Sequence, residues 1–120
     1  MNLNVDNILI IGLGMIGSSI ALASKSKGIK VYGFDKSNDC TNEALEKNII
    51  DSKVESIENI NSKDFVKKVD LIIVAVPPKQ TLDVLNNLKN IWNTDVTITD
   101  TSSVKNHIKL NGVSNIVFSH

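Results

Sequence analysis

The chain has 120 residues, 42% of them hydrophobic, which is the size of one ordinary domain with its own core and leaves no room for a second full domain. Its formal net charge is 0, and all 13 basic residues are lysines scattered from Lys25 to Lys109, so a nucleic-acid partner is not expected. The single cysteine, Cys40, fits a reducing cytoplasm and reads as a small, half-buried hydrophobe, while the uncharged start from Met1 and the shortness of every apolar run argue against export and against a membrane span.

Asn7-Ile8-Leu9-Ile10-Ile11-Gly12 is apolar and rich in β-branched residues, which predicts a first strand buried on both faces. From Met15 to Lys27 the period changes. Ile16, Ile20 and Ala23 recur at three- and four-residue steps, predicting a helix of about three turns with Lys25 and Lys27 at its end and Gly28 as its stop. Lys30 to Asp35 predicts a second strand, and Asn38 to Asn48 a second helix, with Asp39 near its start and Ala44 and Leu45 turned inward. Ile49 to Asn61 has mixed spacing and reads as a short strand or irregular crossover, and Asp64 to Lys68 as one or two helical turns.

Asp70 to Pro77 predicts the central strand, uninterrupted by polar residues from Leu71 to Val76 and stopped by Pro77-Pro78. Thr81 to Trp92 then predicts a helix with Leu82, Leu85, Leu88 and the Ile91/Trp92 pair on one stripe. Asp95 to Asp100 predicts a strand, Ser103 to Leu110 a short helix capped by Ser102 or Ser103, and Asn115 to Phe118 a last strand. Strands alternating with helices imply right-handed crossovers and a parallel sheet. The expected fold is therefore α/β, a doubly wound parallel sheet of the Rossmann type spanning residues 1–120 as one dinucleotide-binding domain.

Gly12-Leu13-Gly14-Met15-Ile16-Gly17 has the form G-x-G-x-x-G. Three glycines at this spacing arise by chance, but here they follow a predicted strand, open a predicted helix, and stand with an acid, Asp35, 18 residues beyond Gly17 at the end of the next strand. In that context each glycine has a task. Gly12 makes the tight turn, Gly14 lets backbone approach a pyrophosphate, and Gly17 lets helix and strand pack closely. The pyrophosphate would meet the free N–H groups of the first helical turn, at Met15 and Ile16. Asp35 can accept both ribose hydroxyls of NAD and would repel a 2′-phosphate, which no arginine is present to neutralise and which Lys36 could offset only in part. NAD is therefore expected over NADP. Ligands of open α/β sheets lie beyond the carboxyl ends of the strands, which places Val76, Pro77, Pro78 and the stretch Asp100 to Ser103, Ser102 included, beside the nicotinamide half. On spacing alone the prolines read equally well as a strand stop and the serines as a helix cap.

With these residues assembled, the chain resembles the nucleotide-binding half of the prephenate dehydrogenase family, which includes the arogenate dehydrogenases. The resemblance rests on Ile10 to Ser19, Tyr32-Gly33-Phe34-Asp35, Leu71 to Pro77, Asp100-Thr101-Ser102-Ser103-Val104-Lys105 and the terminal Phe118-Ser119-His120. The first three segments are shared with many NAD(P) dehydrogenases, whereas Asp-x-x-Ser-Val-Lys followed by a strand ending in His is more specific. The resemblance implies an NAD-dependent oxidative decarboxylation of prephenate or arogenate on the way to tyrosine, with Ser103 and His120 in the catalytic site. His120 would polarise the substrate hydroxyl, a role suited to an imidazole that titrates near neutrality. Ser18 and Ser102 stand where glycine is common in the family. The family also has a further, helical domain that supplies the substrate pocket and dimer contacts, so the resemblance implies a homodimer in a longer parent and a 120-residue chain that binds NAD without turning over substrate. Two other readings stay open: a dinucleotide-binding module without chemistry, and the nucleotide domain of another small-acid dehydrogenase such as a 3-hydroxyacid dehydrogenase.

Overall fold

The computed structural model describes residues 5–56, 69–88 and 96–101. They form β1 (Asn7–Ile11), α1 (Met15–Ser26), β2 (Lys30–Phe34), α2 (Asn38–Glu46), β3 (Ser52–Lys53), β4 (Leu71–Val74), α3 (Pro78–Asn87) and β5 (Thr97–Asp100). The strands pair in the order β3-β2-β1-β4-β5, all parallel, with Ile8 opposite both Val31 and Leu71, and Leu71 opposite Thr97. This is the doubly wound sheet expected from the alternation of strands and helices.

The continuous apolar runs are explained by helices covering both faces of the sheet. Because side chains alternate along a strand, Ile8 and Ile10 of β1 pack with Val31, Leu71 and Ile73 under Ala21 of α1 and Ala44 of α2. Leu9 and Ile11 point the other way and pack with Ile72 and Val74 against Val84, Leu85 and Leu88 of the α3 segment. Thus α1 and α2 share one face and α3 takes the other.

Local chemistry sets the element ends. Ser37 caps α2, its Oγ accepting the Cys40 N–H at 3.3 Å, and Asp39 lies in the first turn. Gly28 follows α1 at φ +83°, in the left-handed region where glycine closes a helix without strain, its N–H donating to the Lys25 carbonyl at 3.0 Å. At the amino end of the sheet, Asp70 Oδ2 accepts the N–H groups of Asp6 and Asn7 at 2.9 and 3.0 Å. Asp51 Oδ2 accepts the Val31 N–H at 2.8 Å while its Oδ1 pairs with Lys25 Nζ at 3.3 Å.

Several expectations are corrected. The third helix begins at Pro78, not Thr81, because proline suits the first helical position, where its missing N–H costs nothing. Its inner stripe runs through Thr81, Val84, Leu85 and Leu88, and Leu82 is left 67% exposed. Pro77-Pro78 does not stop the central strand, which ends at Val74, three residues earlier and in register with Asp100 at the end of β5. The inner face of α1 is Gly17, Ile20, Ala21 and Ser24, whereas Ile16 and Ala23 face outward. Cys40 is exposed, since α2 turns Thr41 and Ala44 inward. The first strand pair and helix ends otherwise fall within two residues of expectation. The expected turns at 64–68, the Ile91/Trp92 pair of the third helix, the helix at 103–110 and the strand at 115–118 lie outside the described residues, while Thr101 is already helical, ahead of the expected cap at Ser102 or Ser103. Among the described residues no helix is long and apolar enough to cross a membrane.

Candidate functional site

The carboxyl ends of β1, β2 and β4 meet at the point where the strand order reverses direction, between β1 and β4, which is where open α/β sheets leave a crevice. β1 runs into the glycine turn. Gly12 has φ +101°, and a Cβ there would stand 2.6 Å from the Ala75 carbonyl oxygen, so the turn needs glycine for both its backbone angle and its contact with the end of β4. A Cβ on Gly17 would collide with the Gly12 carbonyl oxygen, which fixes how closely α1 approaches the turn. Gly14 differs from both: nothing lies within 4 Å of the place a Cβ would take, which is open space.

The backbone of the turn is tied to β2. The Gly12 N–H donates to the Phe34 carbonyl at 2.7 Å, and the Leu13 N–H donates to Asp35 Oδ2 at 2.8 Å. The other Asp35 oxygen accepts the Ser37 N–H at 2.9 Å. A carboxylate has about four lone-pair sites, so Asp35 keeps acceptor capacity for hydroxyl donors while serving both amides. α1 starts at Met15 with Gly14 as its N-cap, no side-chain cap bond and no acid in its first turn, which leaves backbone N–H groups and the positive end of the helix dipole for an anion.

A groove of about 370 Å³ lies over these ends. Ile11, Gly12 and Gly14 line it from β1 and the turn, Phe34, Asp35 and Lys36 from the end of β2, and Ala75, Val76 and Pro77 from the segment after β4. Gln80, Val84 and Asn87 of α3 form its remaining wall. The mixture is apolar surface with a few convergent polar groups, the usual make-up of a small-molecule site. The residues fit a dinucleotide: the side that a Cβ on Gly14 would fill stays open beside a helix N-terminus, and an acid stands at the end of the neighbouring strand.

Of the residues expected to bind cofactor, Gly12, Gly14, Asp35, Lys36, Val76 and Pro77 come together in this groove. Gly17 sits behind it as a packing residue, and Met15 and Ile16 are exposed on the first turn of α1, 88% and 48% accessible, outside the lining. Pro78 opens α3. Ser102, Ser103 and His120 lie outside the described residues. Gln80, Val84 and Asn87 were not foreseen; they fall at i, i+4 and i+7 of α3, a helical stripe that becomes readable once the helix is started at Pro78. Among the described residues no group of three or more His, Cys, Asp or Glu is placed to hold a metal ion.

The sequence model of the prephenate dehydrogenase nucleotide-binding domain matches residues 20–118, a stretch that begins beyond the glycine turn, so the turn is an observation independent of that match. Prephenate dehydrogenase of Lactococcus lactis subsp. cremoris is 40% identical over 107 residues, covering 87% of this chain and 28% of that protein. Prephenate dehydrogenase of Bacillus subtilis is 36% identical over 111 residues, covering 90% of this chain and 29% of that protein. Among solved structures, prephenate dehydrogenase from A. aeolicus in complex with hydroxyphenyl propionate and NAD+ is similar, with a TM-score of 0.72 and 29% identity over 83% of this chain and 34% of that one. The chain thus spans about a third or less of the length of these relatives. A glycine turn, an acid at the end of β2, a parallel sheet in the order β3-β2-β1-β4-β5 and a family match over most of the chain converge on one conclusion: the chain belongs to the prephenate dehydrogenase nucleotide-binding domain family.

Proposed function

We propose that this chain is the cofactor-binding part of an NAD-dependent dehydrogenase that oxidatively decarboxylates prephenate or arogenate. The observation that carries the reading is the glycine turn itself, whose Gly14 lines the groove with the place of its Cβ empty, while Asp35 lines the same groove at the end of β2. The relatives' names and the NAD+ complex of the A. aeolicus enzyme support it. When bound, NAD supplies a nicotinamide ring that accepts hydride from the substrate. The chain's own residues do the holding. The amides opening α1 receive the pyrophosphate, Asp35 receives the ribose hydroxyls, Val76 stands on the nicotinamide half, and Phe34 and Val84 add apolar surface to the groove. Lys36 and Pro77 line the same groove, and Pro78 and Ser102 are assigned to the cofactor as well.

Ser103 and His120 are proposed as the catalytic pair, with His120 polarising the substrate hydroxyl as hydride leaves and Ser103 supporting it. The substrate pocket and the contacts of a homodimer are assigned to chain outside these 120 residues, in a longer cytoplasmic parent. The reading favours NAD over NADP, since the Asp35 carboxylate repels a 2′-phosphate and, among the described residues that line the groove, Lys36 is the one counter-charge. Titration of the chain with both cofactors tests this: saturable NAD+ binding at least tenfold tighter than NADP+ is expected, with the gap narrowed in Asp35→Asn. Equal or tighter NADP+ binding would contradict the assignment. The 120-residue chain should show no measurable oxidation of prephenate, and turnover by it would contradict the placement of the substrate pocket elsewhere.

A further inference from the structure

The residue between the first two glycines is held from three directions. The Leu13 side chain is 7% exposed and packs in the core with Ile8, Val31 and Ile50. Its N–H donates to Asp35 Oδ2 at 2.8 Å, and its carbonyl accepts the Ser18 hydroxyl at 3.1 Å. Asp35 is itself fixed by the Ser37 N–H at 2.9 Å, and Ser18 by its place in the first turn of α1, where its N–H donates to the Gly14 carbonyl at 2.9 Å. The peptide groups on both sides of Leu13 are therefore oriented by side chains from α1 and from the turn after β2, and the next residue in the chain is Gly14, which lines the groove.

We infer that Ser18 and Asp35 are positioning residues that clamp Leu13 and hold the glycine turn in its anion-accepting shape before any ligand arrives. The inference rests on the dinucleotide reading of the groove for its purpose, though not for its geometry. A glycine turn is flexible by composition, and ordering it on binding would subtract from affinity. Bonds that fix it in the free protein remove that cost. Ser18 is the more diagnostic of the two, because its hydroxyl is spent on the Leu13 carbonyl and its effect on a ligand must pass through the turn.

The test uses the 120-residue chain and three variants. In Ser18→Ala, amide hydrogen exchange without ligand should quicken about three- to tenfold at Gly12 and Leu13, whose N–H groups are held by the Phe34 carbonyl and Asp35, relative to wild type, the loss expected of one net hydrogen bond, while the middle of β1 keeps its rates. Ser18→Thr, which keeps the hydroxyl, should restore them. Affinity for NAD+ and for inorganic pyrophosphate should fall in Ser18→Ala by the same factor, about three- to tenfold. Asp35→Asn should cost more for NAD+ than for pyrophosphate, which has no ribose. A merely structural role for Ser18 predicts the opposite, since alanine is the better helix former and would leave binding intact. Exchange rates in Ser18→Ala equal to wild type would overturn the clamp. Wild-type protein that binds neither ligand while exchange responds as described would overturn the dinucleotide reading and leave the clamp standing. Wild-type NAD+ affinity retained in Ser18→Ala would do the reverse.

Discussion

Two depressions of about 370 Å³ open at opposite ends of the same sheet, and only one of them has the chemistry of a binding site. At the amino end, Lys25, Gly28, Ile29, Lys30 and Asp51 surround the C-terminus of α1. There the charged groups are turned on each other: Lys25 pairs with Asp51 at 3.3 Å and donates to the Asn48 carbonyl at 2.7 Å, while Asp51 also takes the Val31 N–H. At the carboxyl end the same helix presents its N-terminus, with no acid and no side-chain cap to occupy its amides. Both ends use an aspartate to catch backbone N–H groups, Asp51 at one and Asp35 at the other, so a carboxylate on amides does not by itself mark a site. Neither does volume. What differs is the sign of the helix end and that a Lys25–Asp51 pair fills one while no side chain caps the other.

The largest effect that would break this contrast is at Gly17. Gly17→Ala forces a Cβ into the Gly12 carbonyl oxygen, and a loss of about 2–4 kcal/mol in urea unfolding is expected, together with loss of NAD+ binding, because backbone and not a flexible side chain must give way. Stability unchanged in that variant would mean that the close approach of α1 to the turn is wrong. At the amino end, Asp51→Ala strands the Val31 N–H and leaves Lys25 without its carboxylate partner, for an expected cost of about 1–3 kcal/mol with NAD+ affinity within about twofold of wild type. A large affinity loss there would erase the distinction between the two ends.

The smallest effect is on the outer face of α2, where Lys47 Nζ stands 2.6 Å from Glu43 Oε1. The hydrogen bond and charge of Lys47 hold the Glu43 carboxyl below its ordinary value, and Glu43 holds the Lys47 ammonium above its own. The pair therefore contributes between the two titrations, losing its effect as pH falls through the lowered Glu43 value or rises through the raised Lys47 value. Both side chains are more than half exposed, so Glu43→Gln should not move the thermal midpoint measurably at neutral pH and physiological salt. A clear drop would show that this exposed pair matters more to α2 than its solvation allows.

The parts of the molecule legible in the sequence are those encoded locally. β1, the glycine turn and Asp35 follow from a short apolar run, a fixed glycine spacing and one acid, and each is where it was expected, as is the parallel sheet. Phase along a helix was harder. Leucines at 82, 85 and 88 invite a stripe through all three, but the residues turned inward are Thr81, Val84, Leu85 and Leu88, spaced i, i+3, i+4 and i+7, which leaves Leu82 in water. Gln80 lies ahead of the expected helix start, and Asn87, inside it, is polar and off the apolar stripe, yet both line the groove. In α1 the close approach demanded by Gly17 draws Ala21 inward in place of the bulkier Ile16, against the weight that hydrophobicity alone would give. The clamp on Leu13 joins residues 13, 18 and 35 through backbone groups that leave no trace in side-chain pattern. Ser103 and His120 came from family resemblance and lie outside the described residues.

The most direct measurement is calorimetric titration of the 120-residue chain and its Gly14→Val variant with NAD+, paired with urea unfolding of both. The place of the Gly14 Cβ is empty in the folded chain, so the variant should unfold within about 1 kcal/mol of wild type, yet its side chain fills the side from which a pyrophosphate would approach. Saturable binding by wild type, lost in an equally folded variant, is the predicted result. NAD+ binding that survives Gly14→Val, or wild-type protein that does not bind at all, would contradict the account of the glycine turn as a dinucleotide cradle.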